Sequence, residues 1–304
     1  MSKIDLSVNI AGVSLKNPIT TASGTFSFEE SGAFYDLNEL GAMITKGVAS
    51  VPWAGNKTPR IAETYGGMLN SVGLENKGVD YFIEKELKEL LKFDSKVIVN
   101  VAGRSIEEYC EVVEKLSETD VDLLEINISC PNVKKGGIGF GTDPKLAATV
   151  TKEVKKVSKK PIIMKLTPNV GDITEIARAV EAEGADAVSL INTLLGMKID
   201  VHRRRPVLAN KVGGFSGPAI KPVAVRMVYQ TRKAIKIPII GLGGIMTGED
   251  VVEFIMAGAD AVSVGTAAFT NPIAPIEMKS QLISFMKRYK FNNLEEVRKS
   301  FIEG

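Results

Sequence analysis

Cysteine, histidine and tryptophan are nearly missing from this chain, whose 304 residues contain two, one and one of them. Cys110 and Cys130 form no CxxC and have no histidine cluster beside them. The sequence therefore encodes neither a disulfide framework nor a metal or iron–sulfur site, and a reducing cytoplasm is the expected compartment. Neither sign of charge dominates. Thirty-eight basic residues stand against 36 acidic ones, a net charge of +2, which leaves no electrostatic footprint for nucleic acid or an anionic membrane. No apolar run approaches the ~20 residues a membrane span needs, and residues 1–9 lack the apolar core of a signal peptide. Also absent are GxGxxG and GxxxxGK, the phosphate loops of dinucleotide and ATP folds. What is present is 44% hydrophobic content, enough for a substantial core, and the default partner is a small polar molecule.

Short β-branched runs alternate with longer amphipathic stretches, the pattern of βα units around a parallel sheet. Strands are predicted at residues 19–24, 42–47, 96–102, 123–129, 161–166, 187–192, 238–243 and 261–266. Helical patterns between them cover 80–92, 106–118, 144–157, 173–183, 221–235 and 249–257. Eight strands predict a closed (β/α)8 TIM barrel, and with no linker, repeat or low-complexity segment the whole of 1–304 reads as a single domain. Two inserts, 49–77 and 194–217, interrupt the regularity, and both fall on the C-terminal face of the strands.

That face collects polar residues that apolar strands do not need. Ser23 ends the first run, Lys46 and Gly47 the second, and Asn100 lies in the third. Asn127 to Cys130 end the fourth, Lys165 the fifth, and Asn192 and Thr193 the sixth. Lysines and asparagines are expensive to bury unless they bind something or one another. After the last two strands, Gly241-Leu-Gly-Gly-Ile245 and Val264-Gly-Thr266 offer backbone N–H groups where such barrels hold a phosphate, which suits a mononucleotide. Taken alone, Cys130 reads as a small core residue. At the end of a strand among Asn127, Ser129 and Asn132, it also reads as a thiol able to carry a proton to or from carbon.

The ordered motifs resemble class 1 dihydroorotate dehydrogenases over nearly the whole chain. They are Asn17-Pro-Ile-Thr-Thr-Ala-Ser-Gly24, Thr45-Lys-Gly47, Gly67-Met-Leu-Asn-Ser-Val-Gly-Leu74, Glu125-Ile-Asn-Ile-Ser-Cys-Pro-Asn-Val133, Lys165-Leu-Thr-Pro-Asn169, Asn192-Thr193, Gly214-Phe-Ser-Gly-Pro-Ala219 and Gly241-Leu-Gly-Gly-Ile245. The resemblance implies an FMN barrel that oxidises (S)-dihydroorotate to orotate in pyrimidine synthesis, with Cys130 as the base. It implies FMN contacts from Ser23, Lys46, Gly47, Asn100, Asn127, Lys165, Ile191, Gly217, Gly243, Gly244, Gly265 and Thr266. Substrate contacts would come from Lys46, Asn70, Ser71, Val72, Gly73, Leu74, Asn127, Asn132, Asn192 and Thr193. A cysteine base and the lack of an N-terminal extension resemble class 1 rather than the membrane-associated class 2.

Within class 1, Ser129-Cys-Pro-Asn-Val-Lys-Lys-Gly-Gly137 and Arg204-Arg-Pro-Val-Leu-Ala-Asn-Lys211 are similar to the NAD-dependent type, 1B. That type implies a homodimer of this chain inside a heterotetramer, with FAD and a [2Fe–2S] cluster on the partner subunit only. A fumarate-using homodimer, type 1A, is the nearer alternative, and Phe215 stands where leucine is expected. A dihydrouridine synthase would need a basic tRNA surface. A Schiff-base aldolase on Lys46 or Lys165 would leave Cys130 and the flavin without a role. His202 and Arg203–Arg205 read as a solvated loop or a subunit interface, and residues 134–141 as an ordinary loop or a lid over substrate. Trp53 is expected to pack in the first insert and Cys110 in the core.

Overall fold

In the computed structural model the described residues are 4–129 and 139–303. Eight parallel strands close into one barrel: β1 (Ile19–Thr21), β2 (Ala42–Ile44), β3 (Lys96–Val101), β4 (Leu123–Asn127), β5 (Ile162–Lys165), β6 (Ala187–Leu190), β7 (Ile239–Leu242) and β8 (Ala261–Val264). Each neighbours the next in sequence, and β8 pairs with β1 through Ser263 and Thr20. The runs are apolar without alternation because both faces are covered, the inner by other strands and the outer by helices. All eight predicted strands are there, shorter by up to three residues at their ends.

The predicted helices also form, and side chains at their starts explain where. Ser105, Asp143, Asp172 and Thr247 each accept a backbone N–H in the first turn of Ile106–Ser117, Pro144–Val157, Ile173–Ala182 and Gly248–Met256. Thr247 and Asp250 make a reciprocal capping box. The stretch predicted at 80–92 is a composite of Val79–Tyr81, a π segment Phe82–Glu86 and Leu87–Leu90. Ala274–Tyr289 and Leu294–Lys299 lie outside the sequence prediction, as does Phe28–Gly32. Among the described residues no helix is long and apolar enough to cross a membrane.

Two features of the architecture were not legible from periodicity. An antiparallel hairpin, Val8–Ile10 with Val13–Leu15, turns through Ala11 and Gly12, both at positive φ, and buries Ile10 and Leu15 completely. Those two side chains plug the N-terminal end of the barrel against Ala42, Ile44, Ile98, Leu123, Ile163, Ala187, Ile240 and Ala261. At the other end, the two inserts are not separate loops. Leu194–Met197, Val212–Ser216, Gly67–Asn70 and Ile61–Thr64 form one four-stranded antiparallel sheet in that order. Its central register pairs Gly214 with Asn70. Glycine is required at 214 because a Cβ there would lie 2.1 Å from the Thr193 hydroxyl.

Three further expectations concern single residues and a short run. Trp53 is buried against Ala49 and Ala102 with Leu74 beside it, and the Arg104 guanidinium lies 4.1 Å from its ring centroid. It ties the first insert to the end of β3. His202 and Arg203–Arg205 occupy the exposed end of a small hairpin, Ile199–Asp200 with Arg205–Pro206. Cys110 is half-buried, and burial raises its thiol pKa.

Candidate active site

The C-terminal end of the barrel is built around a carboxylate. Glu125, in the run Leu123-Leu-Glu-Ile-Asn127, is the one acidic residue in the eight barrel strands, and it is fully buried. Its Oε2 accepts from Asn100 Nδ2 at 2.5 Å and from the Lys165 ammonium at 3.2 Å, and its Oε1 accepts from the Ser189 hydroxyl at 2.7 Å. β4 thereby contacts β3, β5 and β6 through one side chain. A buried charge is tolerable only when paired and hydrogen-bonded, and these three partners meet that condition.

Above this centre two groups are left with capacity. The Lys165 ammonium has three N–H donors; among the described residues Glu125 takes one and the Ser23 hydroxyl, at 3.1 Å, takes another. Asn100 Oδ1 is buried and has no partner among the described residues. Its orientation is forced, because the carboxylate demands the amide NH2. A buried acceptor and a spare cationic donor held side by side are complementary to an imide–carbonyl edge such as the pyrimidine edge of a flavin. The residues present therefore fit the group the sequence implied.

The other sequence-predicted residues are brought together in a ring around the mouth. A Cβ on Gly47 would lie 3.3 Å from Asn100 Oδ1 and 3.2 Å from the Leu74 side chain, so the second strand, the third strand and the first insert converge there. Asn192 Nδ2 donates to Asn127 Oδ1 at 3.3 Å. Gly243 (φ +125°) would meet Ile191 at 3.2 Å if it carried a Cβ, and Gly244 (φ +80°) would meet the Gly217 carbonyl at 2.8 Å. These backbones approach too closely for any other residue, and their φ values lie where L side chains are strained. The Thr266 hydroxyl donates to Ser216 Oγ at 2.8 Å, and Gly265 closes the ring beside Ala22 at the end of β1.

Of the substrate-side residues, Asn70 to Leu74 sit at the end of an insert strand and on the loop after it. Ser71 and Val72 are held by Asn56, whose side chain donates to the Ser71 carbonyl at 2.9 Å and whose N–H donates to that of Val72 at 2.9 Å. Gly73 and Leu74 both have positive φ. Arg60 braces the same loop through an ion pair with Glu75 and a bond to the Ala54 carbonyl. Lys46 is exposed, and its charge is felt at Glu86, whose carboxyl burial pushes up against the pull of Lys77 and Lys46. Cys130, Asn132 and residues 134–138 of the expected lid lie outside the described residues. The structure on either side is stapled: the Tyr109 hydroxyl donates to the Asn127 carbonyl at 2.6 Å, its ring packs edge-on against Phe140, and Gly141 N–H donates to the Ile128 carbonyl at 2.8 Å.

A model of the family described as dihydroorotate dehydrogenase matches residues 5–286. The chain belongs to the dihydroorotate dehydrogenase family. It is 64% identical to a protein of Alkaliphilus metalliredigens named dihydroorotate dehydrogenase B (NAD(+)), catalytic subunit, over 99% of this chain and 100% of that one. A Lachnoclostridium phytofermentans protein of the same name is 60% identical over 97% of this chain and 98% of its own. Among solved structures, dihydroorotate dehydrogenase from Eimeria tenella in complex with ferulenol superposes with a TM-score of 0.78, covering 96% of this chain and 87% of that one. At 21% identity it speaks for the fold alone.

Two groups that complete the site were not singled out from the sequence of this dihydroorotate dehydrogenase family member. Glu125 stood inside a quoted motif without a role, although a lone acid in an apolar strand is itself a signal. Ser189 gave none, since a serine in a strand is unremarkable until its partner is known.

Proposed function

We propose that this chain oxidises (S)-dihydroorotate to orotate in pyrimidine biosynthesis, with FMN in the barrel mouth and Cys130 as the base. One observation carries the reading: in a chain of this family, Asn100 Oδ1 and the spare Lys165 donor form a buried acceptor–donor pair at the strand ends. When bound, FMN supplies the acceptor for the C6 hydride. Cys130 takes the C5 proton, so that a C5=C6 double bond is left in the product. Lys165 donates to the flavin edge on which negative charge gathers, and Ser23, Lys46, Gly47, Asn127 and Ile191 border the same group. The close-packed turns at Gly217, Gly243, Gly244, Gly265 and Thr266 present backbone N–H groups to its phosphate. Asn70, Asn127, Asn132, Asn192 and Thr193, with Lys46 and the backbone of Ser71, Val72, Gly73 and Leu74, hold the ureide edge and carboxylate of the substrate. An ion-paired ammonium is a poor nucleophile, which counts against a Schiff-base role for Lys165.

Electrons then pass to NAD+ through a partner subunit, a reading supported by the words NAD(+) and catalytic subunit in the names of the similar proteins, and that partner would carry the FAD and the [2Fe–2S] cluster. We read residues 1–304 as one FMN-binding domain, working in the cytoplasm as a homodimer within a heterotetramer. The test is to purify the chain alone and assay dihydroorotate against an artificial acceptor, NAD+ and fumarate. Release of FMN, turnover with the artificial acceptor and little with NAD+ or fumarate is expected. A colourless protein inert toward dihydroorotate overturns the reading. Efficient NAD+ reduction removes the need for the partner, and efficient fumarate reduction moves the chain to type 1A.

A further inference from the structure

We propose that Glu125 is a positioning residue for the flavin chemistry, holding Lys165 as an ammonium with one N–H left for the bound cofactor. The inference rests on the reading above and deepens it. The fold does not ask for an acid at this place. Along β4 the neighbours Leu123, Leu124 and Ile126 are apolar and fully buried, and swapping a buried ion pair for well-packed neutral groups is often neutral or stabilising. What the carboxylate does is orient its partners. By taking one donor of Lys165 while Ser23 takes a second, it fixes where the third points. By taking the amide NH2 of Asn100, it turns Oδ1 away as a free acceptor. A single buried anion thus sets both halves of the acceptor–donor pair.

It also sets the charge. Lys165 and Glu125 are 4% and 0% exposed and ion-paired, so the carboxylate supplies the counter-charge without which an ammonium is too costly to bury here. Two opposing effects on the flavin follow. The carboxylate's own negative charge disfavours electrons on the cofactor, whereas the ammonium it maintains favours them. The ammonium wins because it lies nearer the mouth: β4 pairs Asn127 with Lys165, which places Glu125 one pleat lower, opposite Ile163.

This competition makes the test a matter of sign. The FMN-loaded full chain would be titrated for its two-electron midpoint potential at pH 8 as wild type, Glu125→Gln, Lys165→Met and the double variant. With Lys165 present, Glu125→Gln should lower the potential by the equivalent of at least a tenfold loss in the reduction equilibrium, about 30 mV for two electrons. In the Lys165→Met background the same change should leave the potential unchanged or raise it, since only the carboxylate's repulsion is left to remove. An unchanged or raised potential in the single variant overturns the proposal, and so does equal lowering in both backgrounds, the mark of general damage to the pocket. If Glu125→Gln fails to fold with FMN, Ser189→Ala removes one donor to the carboxylate without changing charge. It should shift the potential in the same direction by less, and only when Lys165 is present; no such shift overturns the proposal. Bleaching of wild-type flavin by dihydroorotate keeps the two readings apart. Bleaching without the predicted pattern of potentials defeats only the role of Glu125, and no bleaching defeats the proposed activity.

Discussion

The two ends of the barrel are made from the same eight strands and obey opposite rules. At the N-terminal end the inward side chains are alanine, leucine and isoleucine, sealed by Ile10 and Leu15 of the hairpin. At the C-terminal end, two residues further along, or four for Asn127, the strands carry Asn100, Glu125, Asn127, Lys165 and Ser189. The first end gains stability from apolar area removed from water, at roughly 25 cal/mol per Å2. The second has charges to desolvate, and its arrangement makes sense only as a place that binds something. A parallel barrel separates the two tasks because every strand runs the same way, so one end gathers all the loops.

Four changes would break or sharpen this contrast. The largest effect is expected at the functional end, where Cys130→Ala should slow flavin reduction by dihydroorotate about a hundred- to ten-thousandfold while leaving FMN bound and the unfolding midpoint unmoved. Stopped-flow bleaching measures the rate, and a near-normal rate would remove Cys130 from its role. At the sealed end, Ile98→Ala, which empties a fully buried site, should cost about 2–5 kcal/mol in denaturant unfolding. Turnover per folded molecule should be retained, and a loss of activity that outruns the loss of folded protein would show that the ends are not independent.

Gly243→Ala is the intermediate case. A Cβ there would sit 2.9 Å from that of Ala224 at a φ of +125°, so the turn must shift. FMN affinity should fall about tenfold, roughly 1.4 kcal/mol, as read by fluorescence of the released flavin. Unaltered affinity would mean that the turn does not hold the cofactor.

The smallest effect concerns Asp250, which caps the helix leaving this turn. Burial pushes its carboxyl up, but the Lys221 ammonium at 2.6 Å and the N–H groups of Met246 and Thr247 outweigh it, and the net pKa is lowered. A lowered acid contributes stability that is present above the ordinary carboxylate range, near 3.9, and is lost as pH falls through the native value. Asp250→Asn should therefore cost about 1 kcal/mol at neutral pH and flatten the loss of stability below about pH 4. An unchanged acid limb in a urea-unfolding series would contradict the assignment.

The sequence by itself determined the barrel and most of the ring at its mouth. Eight apolar runs with polar ends are a one-dimensional pattern, and each run reports its own burial, so Ser23, Asn100, Lys165, Asn192 and the glycine turns could be read locally. Tertiary structure decided what depends on pairs distant in the chain. The two inserts are separated by more than a hundred residues, yet Asn70 and Gly214 pair in one sheet, and backbone hydrogen bonds of that kind leave no side-chain signature. The hairpin plug was hidden because its turn uses Ala11 at positive φ, where asparagine or glycine would have announced it. Glu125 was visible as a residue and unreadable as a role. A buried charge takes its meaning from its partners, and those lie on three other strands.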